Sequence, residues 1–283
     1  MATKESQKLK VIAISTSESP DMAVFGLSDG HLRDATAEIA TYLLAFGADL
    51  AYGGDLRQHG FTELLFDLVL RYRRDGDGIR KPRVTSYLAW PVHILMTVVK
   101  LSEIEEELQG TALLALIDRD GKRLTLQERK VLPCHEPDDE EWAEGLTTMR
   151  RIMHDETDAR ILLGGRVESY KGNMPGIAEE ALLSLDSGQP IFLIGGFGGC
   201  TRDIAETLGL VDAWAGSRPA WPGRQRFECY GPDNLHNGLS AKENRVLAHT
   251  PHIDQAVTLV MQGLHRLRRG AHNGSCERGD GRA

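Results

Sequence analysis

Short apolar runs and amphipathic stretches alternate along the chain. Val11-Ile12-Ala13-Ile14 follows a lysine-rich lead-in as an unbroken apolar run. A continuous run, not one alternating with polar residues, predicts a parallel strand covered on both faces. Leu32, Ile39, Leu43 and Phe46 then recur at helical spacing, with Ser28 placed to cap that helix and Gly47 to end it. Ala48 to Tyr52 reads as a second strand and Phe61 to Tyr72 as a second helix, with Leu64, Leu65, Leu68 and Val69 inward. Val84 to Trp90 and Ala112 to Ile117 are further strands, and Leu101 to Leu108 is a short acidic helix. His93 to Val99 and Lys122 to Pro137 carry no pattern that assigns them.

The clearest pattern spans Ala159 to Gly199. A helix opens at the acidic run Asp138-Asp139-Glu140-Glu141, which suits the positive end of its dipole, and runs through Met149 and Met153 into this stretch. Ile161-Leu162-Leu163 ends in Gly164-Gly165. Pro175 fits the first turn of a helix whose buried stripe is Ile177, Ala181 and Leu185, and Gly188 ends it. Ile191 to Ile194 is another strand, closed by Gly195-Gly196. Asp203 to Leu208 and Ile253 to Leu267 read as helices, and 213–232 reads as a long loop. These elements predict one Rossmann-like three-layer α/β domain, 1–268, with a mostly parallel sheet, and a disordered tail over 269–283.

The chain of 283 residues is 41% hydrophobic, long enough for a large core. A net charge of −8 gives no basic footprint for nucleic acid. The four scattered cysteines form no CxxC pair, and the ten histidines form no HxxxH pattern. No disulfide framework, metal site or cofactor is therefore expected. Neither a signal peptide nor a membrane span is read, which predicts a cytoplasmic protein with no membrane partner.

Strands that end in glycines and feed helices bring backbone N–H groups toward an anion. Three such turns, at Gly53-Gly54, Gly164-Gly165 and Gly195-Gly196, point to a phosphate-bearing ligand, although the last pair equally suits close packing. Ser15 and Ser17 sit where hydroxyls reach a phosphate or ribose. Asp55 can accept ribose hydroxyls, and Arg57, Arg166 and Lys171 can pair with phosphate. Tyr170 either stacks on a base or packs in the core, and Gly172 and Gly176 belong to the same glycine-rich loop. Glu179 and Glu180 lie in the first turns of their helix, with Glu180 flanking the buried stripe. A carboxylate there serves either an oxocarbenium-like transition state or a ribose.

VIAISTSES, a helix and DLAYGGDL together resemble the start of the LOG and lysine-decarboxylase-like proteins. The LOG signature PGGxGTxxE maps onto Gly164-Gly165 and, after an insertion, onto Gly176-Ile177-Ala178-Glu179-Glu180, with Ile177 replacing its threonine. GGR…YKGxMPGIAEEA resembles the wider SLOG superfamily, which includes ligand-sensing domains of bacterial conflict systems. The resemblance spans Leu9 to Leu70 and Arg150 to Gly209. It implies a nucleotide-derived ligand such as an NAD or ADP-ribose form, and a homodimer. It also implies an effector protein in trans, since no fused effector domain is visible. Retained LOG chemistry would make Glu180, with Arg150 or Arg151, cleave the N-glycosidic bond of a nucleoside monophosphate. A scaffold subunit without catalysis is a further alternative.

Overall fold

The computed structural model describes residues 9–54, 56–57, 59–72, 83–108, 110–213 and 219–276. Six parallel strands form one sheet: β1 (Val11–Ser17), β2 (Asp49–Gly53), β3 (Val84–Leu88), β4 (Ala112–Ile117), β6 (Ala159–Gly164) and β7 (Ile191–Ile194). The two-residue β5 (Arg123–Leu124) pairs antiparallel at one edge, giving the order β5-β4-β3-β2-β1-β6-β7. Strand order reverses direction at β1, which pairs with β2 on one side and β6 on the other. In open parallel sheets such a reversal opens a crevice at the carboxyl ends of the strands.

Side chains of alternate strand residues enter two different cores. On one face Ile12, Ile14, Leu50, Ile161, Leu163 and Ile194 meet α1 (Asp29–Phe46), α2 (Phe61–Tyr72) and α10 (Ile253–Cys276) through Leu32, Ile39, Leu43, Leu65, Val257 and Leu264. On the other face the central strands present Ala13, Ala51 and Gly53. Their small size admits Met149 and Met153 of α6 (Asp139–Asp155) against the sheet. Leu162, Ile191 and Leu193 continue that face under α7 (Gly176–Ser187) and α8 (Gly199–Thr207).

The remaining helices account for the stretches the sequence left unassigned. Trp90 does not end β3. It opens the short α3 (Trp90–His93), and α4 (Val98–Leu108) starts earlier than expected. Lys122 to Pro137 contains β5 and α5 (Leu126–Lys130). Arg129 is buried and donates to the carbonyls of His93, Ile94 and Met96, so it ties this segment together. The 213–232 loop contains a 3₁₀ turn, Arg224–Cys229, and Trp221 and Phe227 pack over α7 and α8. α9 (Ala241–His249) follows; the sequence reading had no helix there. α10 continues past Arg268 to Cys276, into the expected tail, while 277–283 lie outside the described residues. Among the described residues no helix is long and apolar enough to cross a membrane, and no cluster of three or more His, Cys, Asp or Glu is placed to hold a metal.

Candidate functional site

Two polar features stand out, one at the carboxyl end of the sheet and one buried between the sheet and α7. The first is a crevice of about 240 Å³ between the ends of β1 and β2. Ser17 and Tyr52 form its floor, Asp29, Leu32 and Arg33 of the first turns of α1 one wall, and Arg57, His59 and Phe61 the other. Glu18 stands at its rim. Arg33 donates to the His59 carbonyl at 2.5 Å, and its guanidinium lies 5.9 Å from the centre of the Phe61 ring. Tyr52 is pinned by its hydroxyl, which donates to the Thr16 carbonyl at 3.1 Å. The crevice thus brings together two guanidiniums, an imidazole, two carboxylates and the rings of Tyr52 and Phe61.

The second feature lies beneath α7 and was not legible as a unit. Arg160 is the second residue of β6 and is 0% exposed. Its Nη1 donates to Glu180 Oε2 at 2.6 Å and to Ser15 Oγ at 2.9 Å, and Ser15 in turn donates to the same carboxylate. Its Nε donates to Ser184, which donates to Gln189 at 2.8 Å. Arg150, brought over by α6, donates to Glu179 and lies 3.7 Å from Glu180. Thr147 donates to the other oxygen of Glu179 at 2.5 Å. Two arginines and two glutamates therefore balance one another. Burial pushes the Arg160 guanidinium toward losing its proton, and the Glu180 carboxylate opposes this.

Several expectations change here. Ser15 does not face the crevice; it is buried under α7 as a bridge between Arg160 and Glu180. Glu180 is turned inward with its side chain 8% exposed, and Glu179 is also ion-paired rather than solvated. Of the two candidate arginines, Arg150 is buried and paired with Glu179, while Arg151 is exposed. Gly176 is where Arg150 passes: a Cβ there would stand 2.5 Å from Nη2.

The glycine turns are packing points more than open cradles. Gly53 is covered by Met149 and Met153, and Gly54 lies under the Tyr52 ring. Gly165 donates to the Ser17 carbonyl at 2.9 Å and accepts from Cys200 at 2.9 Å, so its groups are engaged. Gly164 and Gly165 have φ of +66° and +106°, which favours glycine at both. Gly195 and Gly196 pack against the backbone at the end of α9. A Cβ on Gly196 would stand 1.9 Å from the Thr250 carbonyl oxygen, and one on Gly195 would stand 2.4 Å from that of Ala248.

The insertion between Gly165 and Gly176 divides its cations. Arg166 pairs with Glu18 at the crevice rim, and its N–H donates to Ser17 Oγ at 3.3 Å. Lys171 instead stacks on Trp142, 3.8 Å from the ring centre, beside a cavity of about 590 Å³ that Tyr170 and Gly172 also line with Asp139, Glu140 and Glu144. Burial and the neighbouring Cys200 thiol raise the Tyr170 hydroxyl above its ordinary range. Of the expected ligand residues, Ser17 and Arg57 share the crevice, Arg166 adjoins it, and Asp55 lies outside the described residues. Arg33, His59, Glu18 and Asp29 were missed because solvated helix starts and loops carry the same residue types. Arg160 did carry a signal, a charge inside an otherwise apolar strand, which is rare unless paired.

The reversal of strand order at β1, glycine-ended strands and the glutamate pair on α7 define a Rossmann-like domain of the SLOG type. The SLOG cluster2 family model matches residues 6–230, and the chain belongs to that family. No curated protein and no solved structure matches the chain significantly.

Proposed function

We propose that the protein binds a nucleotide-derived ligand in the crevice at the carboxyl ends of β1 and β2 and acts as a sensor of it. One observation carries this reading: Arg33, Arg57 and His59 share a single crevice with Glu18 and Asp29. Guanidiniums match phosphate oxygens bidentately, and carboxylates accept the paired hydroxyls of a ribose. At about 240 Å³ the crevice is smaller than the roughly 300–1,000 Å³ of pockets that enclose whole drug-sized ligands. It suits the phosphate–ribose part of a nucleotide, with the base outside.

Binding without hydrolysis is favoured by the state of Glu180. Its carboxylate already holds Ser15 and Arg160, with the side chain turned from solvent. The test is calorimetry with nucleoside monophosphates, NAD, and linear and cyclic ADP-ribose. Binding of at least one is expected, weakened about tenfold or more by Arg57→Ala, as for loss of a charge-assisted contact. No binding to any of them at millimolar concentration overturns the reading.

A second reading, LOG-like hydrolysis, rests on Arg150 reaching both Glu179 and Glu180. There water would replace the base at C1′ and the base would leave protonated. Release of free base by the purified protein, abolished by Glu180→Gln, would replace sensing with catalysis.

A further inference from the structure

The last glycine run leads into α8, a helix of nine residues whose first turn lies outside the crevice. Asp21, in the 3₁₀ turn Pro20–Phe25, accepts the Gly199 N–H on Oδ2 at 2.8 Å. Gly198 and Gly199 lie directly under that turn. A Cβ on Gly198 would stand 2.9 Å from the Asp21 Cβ and 3.1 Å from both Phe25 Cε2 and Ser19 Oγ. Both glycines have left-handed φ, +71° and +64°. Arg202, in the first turns of α8, stacks on Phe25 with its guanidinium 5.6 Å from the ring centre.

Ser19 is the unexplained group. It is 5% exposed, and its Oγ lies 2.9 Å from where a Cβ on Gly199 would stand. Among the described residues that hydroxyl has no hydrogen-bond partner. A buried hydroxyl left unpaired is unfavourable by about 1–3 kcal/mol. The Asp21 carboxylate satisfies the helix end but does not bond Ser19. A phosphate, with more acceptor oxygens in a rounder array, can take the Gly199 N–H and the Ser19 hydroxyl together while meeting the same dipole.

We propose that the N-terminus of α8 is a phosphate subsite whose donors are the Gly199 N–H and the Ser19 hydroxyl, and that Asp21 holds it as an internal anion until phosphate displaces it. The displaced turn follows directly on Ser17 and Glu18, which line the crevice, so occupancy here would shift the crevice rim. The subsite is separate from the crevice and does not rest on the nucleotide reading.

Two measurements test it. In wild-type protein labelled with ¹⁵N-glycine, inorganic phosphate and ADP-ribose are titrated separately while the Gly199 amide resonance is followed. A shift with inorganic phosphate supports a subsite open to the free ion. A shift with ADP-ribose alone supports one that takes the phosphate of a larger ligand. No shift with either, at tens of millimolar, overturns the subsite whatever the crevice binds. In Asp21→Asn, which removes the competing charge, the Kd for whichever probe shifted should fall about tenfold, and Ser19→Ala in that background should reverse the gain. Unchanged or weaker binding in a folded Asp21→Asn protein would reduce Asp21 to a helix cap and overturn the proposal. Should Asp21→Asn fail to fold, the wild-type resonance decides alone.

Discussion

Arg160 shows how a single residue shapes what lies around it. A guanidinium on a fully buried strand survives only if its charge is met, and Ser15, Glu180 and Ser184 meet it from β1 and α7. The neighbouring small residue, Ala13, leaves room for it, since register pairs Ala13 with Arg160. Removing one member of such a pair strands the other. Arg160→Met should therefore cost about 3 kcal/mol in urea unfolding, toward the lower end of the range for broken buried pairs because Arg150 remains near Glu180. The double variant Arg160→Met, Glu180→Leu should recover much of that loss. A single variant within about 1 kcal/mol of wild type would mean that Arg160 and Glu180 are not coupled.

At the scale of elements, glycines set how closely helices approach. Gly196 meets the Thr250 carbonyl, which is backbone and cannot move without shifting α9 away from β7. Gly176 meets only the end of the flexible Arg150 side chain. Gly196→Ala should thus cost about 3 kcal/mol or prevent folding, whereas Gly176→Ala should cost about 1 kcal/mol or less and chiefly displace Arg150 from Glu179. Thermal unfolding of the two variants would reveal a reversed order at once. The same contrast explains what the sequence could disclose. Glycine after an apolar run was legible as a turn, and strands β1, β2, β4, β6 and β7 followed from the short apolar runs within them. Whether a glycine faces a ligand or another backbone depends on partners far along the chain, such as Thr250, and no local pattern encodes that. Ser15 and Glu180 looked like ligand groups for a similar reason. Their polarity was visible, but the arginine that absorbs it lies 145 and 20 residues away. α9 escaped notice because Leu247 and Ala248 are the only apolar residues among the three it buries, too few to make a stripe.

For the whole molecule, the order β5-β4-β3-β2-β1-β6-β7 puts the crevice at the reversal beside β1 and carries β4 and β5 away from it. His93 lies beside β4. It is fully buried, its Nε2 lies 3.0 Å from the Ile117 carbonyl, and its Nδ1 has no partner among the described residues. Burial lowers its pKa to about 4, and Arg129 beside it acts in the same direction. In the unfolded chain the same ring titrates near 6.5. Between these values the unfolded state binds more protons than the folded one, so stability is fully present above about pH 6.5 and declines as pH falls toward about 4. The loss reaches about 3 kcal/mol at the bottom of that window and then stops growing. His154, also lowered by burial, adds to it in the same direction. The surface carboxylates Glu128 and Glu243, held near 2 by their hydrogen bonds to Lys122 and Arg266, act the opposite way round in range: their contribution persists until the pH falls below the ordinary carboxylate values. The decline between pH 6.5 and 4.5 is therefore expected to come from histidine. Urea midpoints measured across it should fall in wild type and fall much less in His93→Gln, which keeps a donor for Ile117 but takes up no proton. Parallel declines in the two proteins would shift the acid sensitivity to another group.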